Sequence, residues 1–535
     1  MSDNATSTVT PDLPAWVEQL RPHQVTAIDE IVDAFEHGSQ CVFLDAPTGS
    51  GKTLIAEMVR RRLDTRGIYV CSDKALQRQF KRDFPEAAVL QGRNNYPTQH
   101  NPSLTAEDCT ASNPKDPCAW CDSATSCPYG VAKAAALTAP VACLNSAYYL
   151  TAANHAKLFS PEPFVVLDEA DTLEQALLSF VEYKVPTWAT ARIGTVPSKA
   201  ARKTTIVRWM EDAARKIALD VRNHGSDLDP KRVRNMEAFV RHTAYVAEQL
   251  KRDIDSGAEH DDNGKWIRVY DDARLTLHLK PVQVASHGST YLWRHGKRFL
   301  AMSGTLISTA ELADTLGLPY EYDTVTVPMT FPVEHRPIVV APIADMNRNA
   351  GDRDYAAMAY AIQQVANLHD SRILVHTVSR ERSEKLIHHL DLLGGVGKRP
   401  IIEYATAKQR DDALDRYLAR PGSILFAQSM DRGVDLPGDA CRVQVIAKIP
   451  FPSLGDRRTS ARLHLPNGQN WYTVQTVRTI VQMTGRGVRS ADDWASTYIF
   501  DAQFRNLWKQ RALFPSWWRE AVDTGRDIRQ FLNRG

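Results

Sequence analysis

Short apolar runs alternate with helical spacing along most of the chain. The runs that predict buried strands are 41–44, 164–167, 338–340, 373–375, 424–426 and 443–446. Each run ends in a polar or glycine-containing turn and is followed by a helical pattern, which is typical of parallel strands in α/β domains. The pattern therefore predicts an α/β protein with two parallel-sheet domains, the second beginning near residue 336.

The segment 183–280 lacks these strand and turn signals and predicts a helical insertion. Apolar residues recur in it at helical spacing: Ile206, Trp209, Ile217, Val221, Phe239, Val240 and Val246. Residues 199–252 carry thirteen Lys or Arg against seven Asp or Glu. Two interpretations stay open: a solvated helical hairpin, or a surface that follows nucleic-acid phosphates through cations such as Lys231, Arg232 and Arg234.

A glycine-rich turn follows the first apolar run and opens a helix-forming stretch. Its sequence over 45–53 is Asp-Ala-Pro-Thr-Gly-Ser-Gly-Lys-Thr, which has the spacing of a phosphate-binding loop. The backbone of such a loop surrounds phosphate oxygens, and here it comprises Thr48, Gly49, Ser50 and Gly51. We expect the Lys52 ammonium to reach the outer phosphates of ATP and the Thr53 hydroxyl to bind Mg²⁺.

A second apolar run ends in the acids Asp168 and Glu169. Ligands of parallel sheets bind beyond the carboxyl ends of the strands. We expect Asp168 to hold Mg²⁺ through water and Glu169 to orient or deprotonate the attacking water. The alternative is an acidic helix start, where carboxylates favour the helix dipole. That alternative explains the charge but not the upstream phosphate-binding loop.

Arginines three residues apart occur far along the chain, at Arg486 and Arg489, with Gln482 on the same predicted helix face. Phosphoryl transfer requires cations that stabilise the transferred group. We therefore expect both arginines to be catalytic and to reach ATP from the second domain when the two domains close.

Four of the eight cysteines lie within nineteen residues, at Cys109, Cys118, Cys121 and Cys127, in a stretch rich in Pro, Asn, Ser and Asp. Their spacing suits either tetrahedral zinc or an iron-sulfur cluster and does not choose between them. The other four, Cys41, Cys71, Cys143 and Cys441, lie singly in apolar runs and are predicted to fill the core. The aromatic group Trp508, Phe514, Trp517 and Trp518 is predicted to close a core near the C-terminus, with base stacking as the alternative.

The composition agrees with an ordinary globular enzyme. The chain has 535 residues, 43% of them hydrophobic, and a formal net charge of +2. This length predicts three or four domains, and the charge is too small to indicate nucleic-acid binding by itself. No apolar stretch approaches membrane-spanning length, and free thiol ligands suit a reducing compartment, so we expect a cytoplasmic protein without membrane contact.

Taken in order, these motifs resemble those of superfamily 2 helicases, and the full set resembles the XPD/DinG family of iron-sulfur DNA helicases. The stretch 21–24 is similar to the adenine-reading entry motif, 299–306 to motif III, 428–436 to motif V and 482–489 to motif VI. The resemblance implies that Gln24 contacts adenine and that Asp435 and Gln482 contribute to the cofactor site. The chain departs from the pattern at Gly304, where alanine is usual, and at Asp171, where histidine is usual.

The resemblance implies two RecA-like motor domains, with an iron-sulfur loop and a helical arch inserted in the first. The expected boundaries are 1–91, 136–182 and 281–335 for the first motor domain, 92–135 for the iron-sulfur domain, 183–280 for the arch-like insertion and 336–535 for the second motor domain. A four-iron four-sulfur cluster is implied because 92–97 and 127–129 resemble its flanking sequences. Thr98 stands where the family commonly has its first ligand, which assigns that role to Cys109.

The implied activity is that of an ATP-dependent DNA helicase that moves 5′ to 3′ on single-stranded DNA and unwinds duplex or branched DNA in repair, recombination or replication. Single-stranded and forked DNA are the implied partners, with single-stranded-DNA-binding or repair proteins beside them, and a monomer is expected. The residues leave open an RNA helicase, a translocase that does not unwind, and a zinc-stapled recruitment module without catalysis.

Overall fold

The computed structural model describes residues 12–99, 101–109, 127–198, 200–258, 264–271, 276–428, 436, 438–485, 487, 488, 490 and 492–523. Its strands are β1 Cys41–Asp45, β2 Gly67–Cys71, β3 Ala88–Val89, β4 Val141–Asn145, β5 Phe164–Asp168, β6 Tyr183–Lys184, β7 Trp266–Asp271, β8 Thr276–Pro281, β9 Phe299–Ser303, β10 Tyr322–Thr326, β11 Ile338–Ala344, β12 Ile373–His376, β13 Ile401–Ile402, β14 Ile424–Ala427, β15 Val443–Ile446, β16 Ser496–Asp501 and β17 Val522–Asp523.

The helices are α1 Pro22–Glu36, α2 Lys52–Arg62, α3 Lys74–Asp83, α4 Pro128–Thr138, α5 Ser146–Asn154, α6 Leu173–Val181, α7 Thr187–Ile193, α8 Lys203–His224, α9 Pro230–Asp255, α10 Ala285–Tyr291, α11 Thr309–Leu316, α12 Asp352–Leu368, α13 Arg380–Leu392, α14 Ala407–Ala419, α15 Arg457–Leu463, α16 Gly468–Thr484, α17 Phe504–Trp508 and α18 Ser516–Glu520.

The first domain is built on a parallel seven-stranded sheet in the order β10-β1-β9-β5-β2-β4-β3. Its central strands are apolar along their length because helices cover both faces and form two buried clusters. The pairing places Asp45 beside Ser303 and Asp168 beside Met302. The carboxyl ends of β1, β9 and β5 therefore meet at one edge, where the predicted site residues lie.

The second domain is a parallel seven-stranded sheet in the order β13-β14-β12-β15-β16-β11-β17. It confirms the prediction of two parallel α/β domains. Phe514 and Trp518 are buried in its core with ring centroids 4.4 Å apart, and Trp508 and Trp517 pack against them. The prediction that these aromatic residues close a core is confirmed.

The insertion between β5 and β9 contains the long helices α8 and α9, which pack against each other through residues such as Ile206, Ile217 and Val246. It also contains an antiparallel sheet in the order β6-β8-β7, which the sequence does not predict. These strands are short and lie beside much longer helical patterns, so their alternation is hard to recognise in the sequence.

The acidic, glycine-containing composition of 253–263 is typical of a solvent-exposed loop, but the structure differs at its beginning. Helix α9 continues to Asp255, and Asp253 is only 2% exposed. The Oδ2 atom of Asp253 accepts hydrogen bonds from Lys203 Nζ at 2.9 Å and from the Trp266 N–H at 3.0 Å. This buried ion pair joins both long helices to the small sheet.

Replacing Asp253 with Ala should destabilise the insertion by about 3–5 kcal/mol, because Lys203 would remain buried without its carboxylate. Lys203→Met should cost a similar amount, and the double variant should lose less than the sum of the two. Denaturant unfolding, with limited proteolysis to locate the loosened segment, measures these losses. Fully additive losses would contradict a coupled pair.

Candidate active site

The turn between β1 and α2 has the geometry of a phosphate-binding loop. Gly49 and Gly51 adopt φ values of +83° and +84°, which other residues rarely adopt. A Cβ atom at Gly49 would lie 2.2 Å from the Phe331 ring, and one at Gly51 would lie 2.3 Å from Gln24 Nε2. Both positions therefore require glycine for conformation and for space. The loop ends where helix α2 begins at Lys52, so free N–H groups face the strand ends.

Gln24 braces this loop from helix α1. Its Nε2 atom donates to the Ser50 carbonyl at 3.0 Å, and its Oε1 accepts from the Arg21 N–H at 2.9 Å. The side chain is 5% exposed. The structure thus places Gln24 against the phosphate loop, and its contact with adenine stays a prediction.

The two predicted Mg²⁺ ligands are linked by a residue that the sequence analysis did not identify. Tyr69 on β2 donates from its hydroxyl to Asp168 Oδ2 at 2.7 Å, and the same hydroxyl lies 3.4 Å from Thr53 Oγ1. Tyr69 is hidden in the sequence because it stands within an apolar strand run. The hydroxyl fixes one oxygen of Asp168 and connects β5 to the start of α2.

The electrostatics at these strand ends centre on Lys52. Burial raises the pKa of Asp168 above its ordinary value, although Lys52 and the Tyr69 hydrogen bond oppose the shift. Burial also raises the pKa of Asp45 to about 6, again against the charge of Lys52. The ammonium group therefore acts on two carboxyl groups, on β1 and β5, the strands on either side of β9.

Glu169 follows Asp168 in a left-handed conformation, with φ at +50°. Such a conformation strains a residue other than glycine and is found most often at functional sites. The Glu169 N–H donates to Asp168 Oδ1 at 2.9 Å. The turn thus holds Asp168 Oδ1 against the Glu169 backbone, and the separate roles of the two carboxylates stay predictions.

Asp171 connects the first domain to the second. Its Oδ1 accepts from Ser303 Oγ at 2.7 Å, and its Oδ2 accepts from Gln482 Nε2 at 2.8 Å. Gln482 Nε2 also lies 2.9 Å from Thr305 Oγ1. The acid that departs from the family's usual histidine therefore binds motif III and helix α16 together.

Helix α16 presents one face to the first domain along most of its length. Trp471 Nε1 donates to Glu174 Oε2 at 3.0 Å. Two turns further, Arg478 donates to the carbonyl oxygens of Thr305 and Leu306, each at 3.1 Å. Together with Gln482, these side chains repeat at the spacing of one helix face. Helix α16 of the second domain is therefore hydrogen-bonded to the first domain at several points along one face.

Arg486, Arg489 and Asp435 lie outside the described residues, so their catalytic and cofactor roles stay predictions. Helix α16 ends at Thr484, just before the first arginine. Val488 packs with Phe331, the residue whose ring lies against Gly49. The chain around the two arginines is thus connected through one aromatic residue to the phosphate loop.

An open groove of about 850 Å³ runs between the domains beside Asp171. Both domains supply hydroxyl or amide side chains to it, including Ser72, Ser146, Thr151, Gln428, Thr459 and Thr479. Ser146 is the first residue of helix α5, whose N-terminal N–H groups favour anions. The groove is open to solvent, combines these hydroxyl and amide groups with apolar side chains, and lies between the strand ends of the two sheets.

The cysteine-containing segment is held to the helical insertion at its first described end, and its second described end begins helix α4. Cys109 is buried and Cys127 is half-buried at the start of α4, whereas Cys118 and Cys121 lie outside the described residues. Arg234 donates to the Cys109 carbonyl at 3.2 Å, and Lys231 binds Asp108 at 2.6 Å. Two of the three cations considered for phosphate contact therefore hold this segment to the helical insertion.

Among the described residues, no group of three or more His, Cys, Asp or Glu is placed to hold a metal ion. The four remaining cysteines, Cys41, Cys71, Cys143 and Cys441, are fully buried, which confirms them as core residues. No helix within the described ranges has both the length and the apolar character needed to cross a membrane.

Two family models match the chain, one in each domain. Residues 18–186 match the model described as type III restriction enzyme, res subunit, and residues 362–521 match the helicase C-terminal domain. The Fanconi anemia group J protein homolog of Gallus gallus is 28% identical over 109 residues, which is 18% of this chain and 9% of that protein. The regulator of telomere elongation helicase 1 homolog of Culex quinquefasciatus is 27% identical over 103 residues, 17% of this chain and 10% of that protein. The aligned part is about a tenth of the length of these curated relatives.

Solved structures share the whole architecture. A structure of XPD helicase superimposes with a TM-score of 0.63 at 16% identity, over 93% of this chain and 98% of that one. The Xpd4 structure from S. tokodaii gives a TM-score of 0.56 at 14% identity, over 94% of this chain and all of that one. The chain thus has the fold of the XPD helicase structures, and its two domain matches and the motifs at the strand ends make it similar to helicases of that type.

Proposed function

We propose that this chain is an ATP-dependent DNA helicase that moves along single-stranded DNA and unwinds duplex or branched DNA. The observation that carries the proposal is helix α16, which connects the open groove to the phosphate-binding side of the first domain. Its contacts run from Glu174 beside the groove to Asp171 beside the strand ends. A motor requires such a connection because binding at one site must change the geometry at the other.

The residues at the strand ends fit ATP and Mg²⁺. The loop from Thr48 to Gly51 offers backbone N–H groups, and Lys52 supplies a cation for the outer phosphates. Thr53 and Asp168, connected through Tyr69, would hold Mg²⁺, which neutralises charge on the phosphates when bound. Glu169 would orient the attacking water. Arg486 and Arg489 would stabilise charge on the transferred group once the domains close.

The groove suits one nucleic-acid strand. Its hydroxyl groups and helix N-termini can bind phosphate oxygens without reading sequence. The DNA preference, the 5′ to 3′ direction and a role in repair, recombination or replication follow from the family resemblance. The described start of the cysteine segment is held to the helical insertion by Lys231 and Arg234.

The four cysteines of that segment fit a four-iron four-sulfur cluster by the chemistry of their donors, with zinc as the lesser alternative. Cys109 and Cys127 would supply two ligands from the described ends of the segment, and Cys118 and Cys121 the others. The cluster would fold the segment by joining its ends and does not enter the hydrolysis site.

The test of the proposed function compares ATP turnover of the purified chain without nucleic acid, with single-stranded DNA and with single-stranded RNA. We expect DNA to stimulate turnover most and a forked DNA duplex to be separated only when ATP is present. Equal stimulation by RNA would favour an RNA helicase. Stimulation without strand separation would favour a translocase, and the absence of ATP turnover would favour a recruitment module.

Glu169→Gln should abolish turnover while leaving ATP binding intact, because the loop and Lys52 still hold the phosphates. Lys52→Ala should instead weaken ATP binding itself. Equilibrium binding of a fluorescent ATP analogue, measured beside steady-state turnover, separates the two effects. Near-normal turnover in Glu169→Gln would remove the residue from the mechanism.

Tyr69→Phe should raise the Mg²⁺ concentration needed for half-maximal turnover by about threefold to tenfold, since it removes one hydrogen bond to a carboxylate. The pKa of Asp168 is already raised by burial, and losing the Tyr69 donor raises it further. The acidic limb of the pH–rate profile should therefore move to higher pH, because Mg²⁺ binds the deprotonated carboxylate.

Tyr149→Phe is the matched control for this change. Tyr149 is equally buried in the same domain, and its hydroxyl has no hydrogen-bond partner among the described residues. Removing that hydroxyl should move neither the Mg²⁺ requirement nor the pH profile. Equal behaviour of the two variants would mean that Tyr69 does not position Asp168.

Freshly purified protein should be brown and contain iron and acid-labile sulfide, whereas bound zinc gives no visible absorption band. Replacing Cys118, Cys121 or Cys127 with Ser should bleach it, and Cys109→Ser tests the shifted first ligand. We expect strand separation to fail while basal ATP turnover survives. Cys441→Ser, in the core of the second domain, is the control and should stay coloured. Colourless wild-type protein with one equivalent of zinc would overturn the cluster.

A further inference from the structure

The groove between the domains contains almost no positive charge. Of the described residues that line it, Arg458 is the only cation, whereas Asp171 and Glu174 are acidic. A strand brings one negative charge per phosphate, and cations supply most of the affinity of proteins for nucleic acid. If the proposed function holds, the state of Arg458 therefore decides how well this groove accepts a strand.

Arg458 is already neutralised from the opposite domain. Its Nη2 atom is paired with Glu174 Oε1, and its Nε donates to the Pro281 carbonyl at 3.3 Å. The two charged side chains are only 11% and 10% exposed. Arg458 belongs to α15 of the second domain and Glu174 to α6 of the first. The pair thus connects the two domains across the groove. While Glu174 is paired with Arg458, that arginine is not available to a phosphate.

A second arginine, Arg462, is an alternative ion-pair partner for Glu174. Arg462 lies one helical turn after Arg458, and its guanidinium is 5.0 Å from the Trp471 ring. Its Nη2 donates to Thr315 at 2.7 Å, but within the described part of the chain its Nε and Nη1 have no hydrogen-bond partner. Burial raises the pKa of Glu174, yet Arg458 and Arg462 together outweigh this and hold that pKa below its ordinary value. Both arginines are therefore close enough to act on the same carboxylate.

We propose that Glu174 is an internal substitute for a strand phosphate, which holds Arg458 until single-stranded DNA displaces it and which then pairs with Arg462. In this exchange Glu174 keeps an arginine partner, and one ion pair within the protein is replaced by two ion pairs in the complex. A phosphate takes the place of Glu174 on Arg458, and Glu174 takes up the unused donors of Arg462. Glu174 would therefore prevent weakly binding anions from pairing with Arg458. A strand, which carries many phosphates, would displace it.

The exchange would also connect strand binding to the ATP site through helix α16. Glu174 Oε2 accepts hydrogen bonds from Trp471 at 3.0 Å and from Gln475 at 3.4 Å, both on helix α16. The same helix reaches Asp171 through Gln482. A carboxylate that turns from one arginine to the other alters the contacts at one end of this helix while its other end lies beside the strand ends.

The experiment measures the affinity for a fluorescent oligo(dT) strand by anisotropy across a salt series. Arg458→Gln should weaken binding about fivefold and reduce the slope of log affinity against log salt by about 0.7, the value for one phosphate. Glu174→Gln should tighten binding about fivefold, which corresponds to removing one partly buried ion pair. In the double variant, the gain from Glu174→Gln should vanish, because the cation it releases is absent.

Glu311→Gln is the matched control. Glu311 is also buried at the domain boundary and pairs with an arginine of the second domain, Arg478, at 3.7 Å, but it does not line the groove. Its replacement should leave the salt slope unchanged, because Glu311 pairs with no cation that lines the groove. Glu174→Asp, which keeps the charge with a shorter reach, should give an intermediate affinity and serves if Glu174→Gln fails to fold.

A gain from Glu174→Gln that persists beside Arg458→Gln would overturn the exchange, since the carboxylate would then act only as a repulsive charge. Unchanged affinity in both Glu174 variants would overturn it too. In either case strand-stimulated ATP turnover of the wild type would leave the proposed function standing. A wild type that neither binds the strand nor responds to it would overturn both.

Discussion

The hydrogen bonds that Asp171 accepts from both domains are the interaction on which the rest of the arrangement depends. Asp171 is 6% exposed, and its carboxylate accepts one hydrogen bond from Ser303 of its own sheet and one from Gln482 of helix α16. A buried carboxylate that loses its donors carries a large desolvation cost, so these contacts are made or broken together. Because Asp171 lies two residues after Glu169, a movement of helix α16 that broke these contacts would act next to the carboxylates of the strand ends.

The boundary between the domains is built from charged and polar groups rather than from a continuous apolar surface. Several of them lack a full set of partners within the described residues, among them Glu311 Oε2, Arg462 Nε and Arg478 Nη1. Opening an apolar interface exposes apolar surface to water and costs free energy. Charged groups, by contrast, regain their hydration when the domains separate. The arrangement therefore suits domains that must separate and close in each cycle, with Glu174 and Arg458 as the pair nearest the groove.

The sequence predicts those parts of the molecule that depend on local patterns. Buried parallel strands are continuous apolar runs, and the phosphate-binding loop needs glycine at Gly49 and Gly51 for reasons of conformation and space. Tyr69 and Glu174 escape prediction because their roles arise from partners far away in the chain. The same holds for Asp253, whose acidic, glycine-containing context suggests solvent although Lys203, fifty residues earlier, buries it in an ion pair. Long-range pairing of polar groups leaves no periodic signal in the sequence.

The central claim is that helix α16 carries the response to a bound strand into the ATP site through Asp171. The most direct measurement is the ratio of ATP turnover with saturating single-stranded DNA to turnover without it, compared between the wild type and Asp171→Ala. The account predicts a ratio near one in the variant while its strand affinity is retained. A ratio that stays at the wild-type value, with both rates lowered together, would show that Asp171 only supports the neighbouring carboxylates and would contradict the claim.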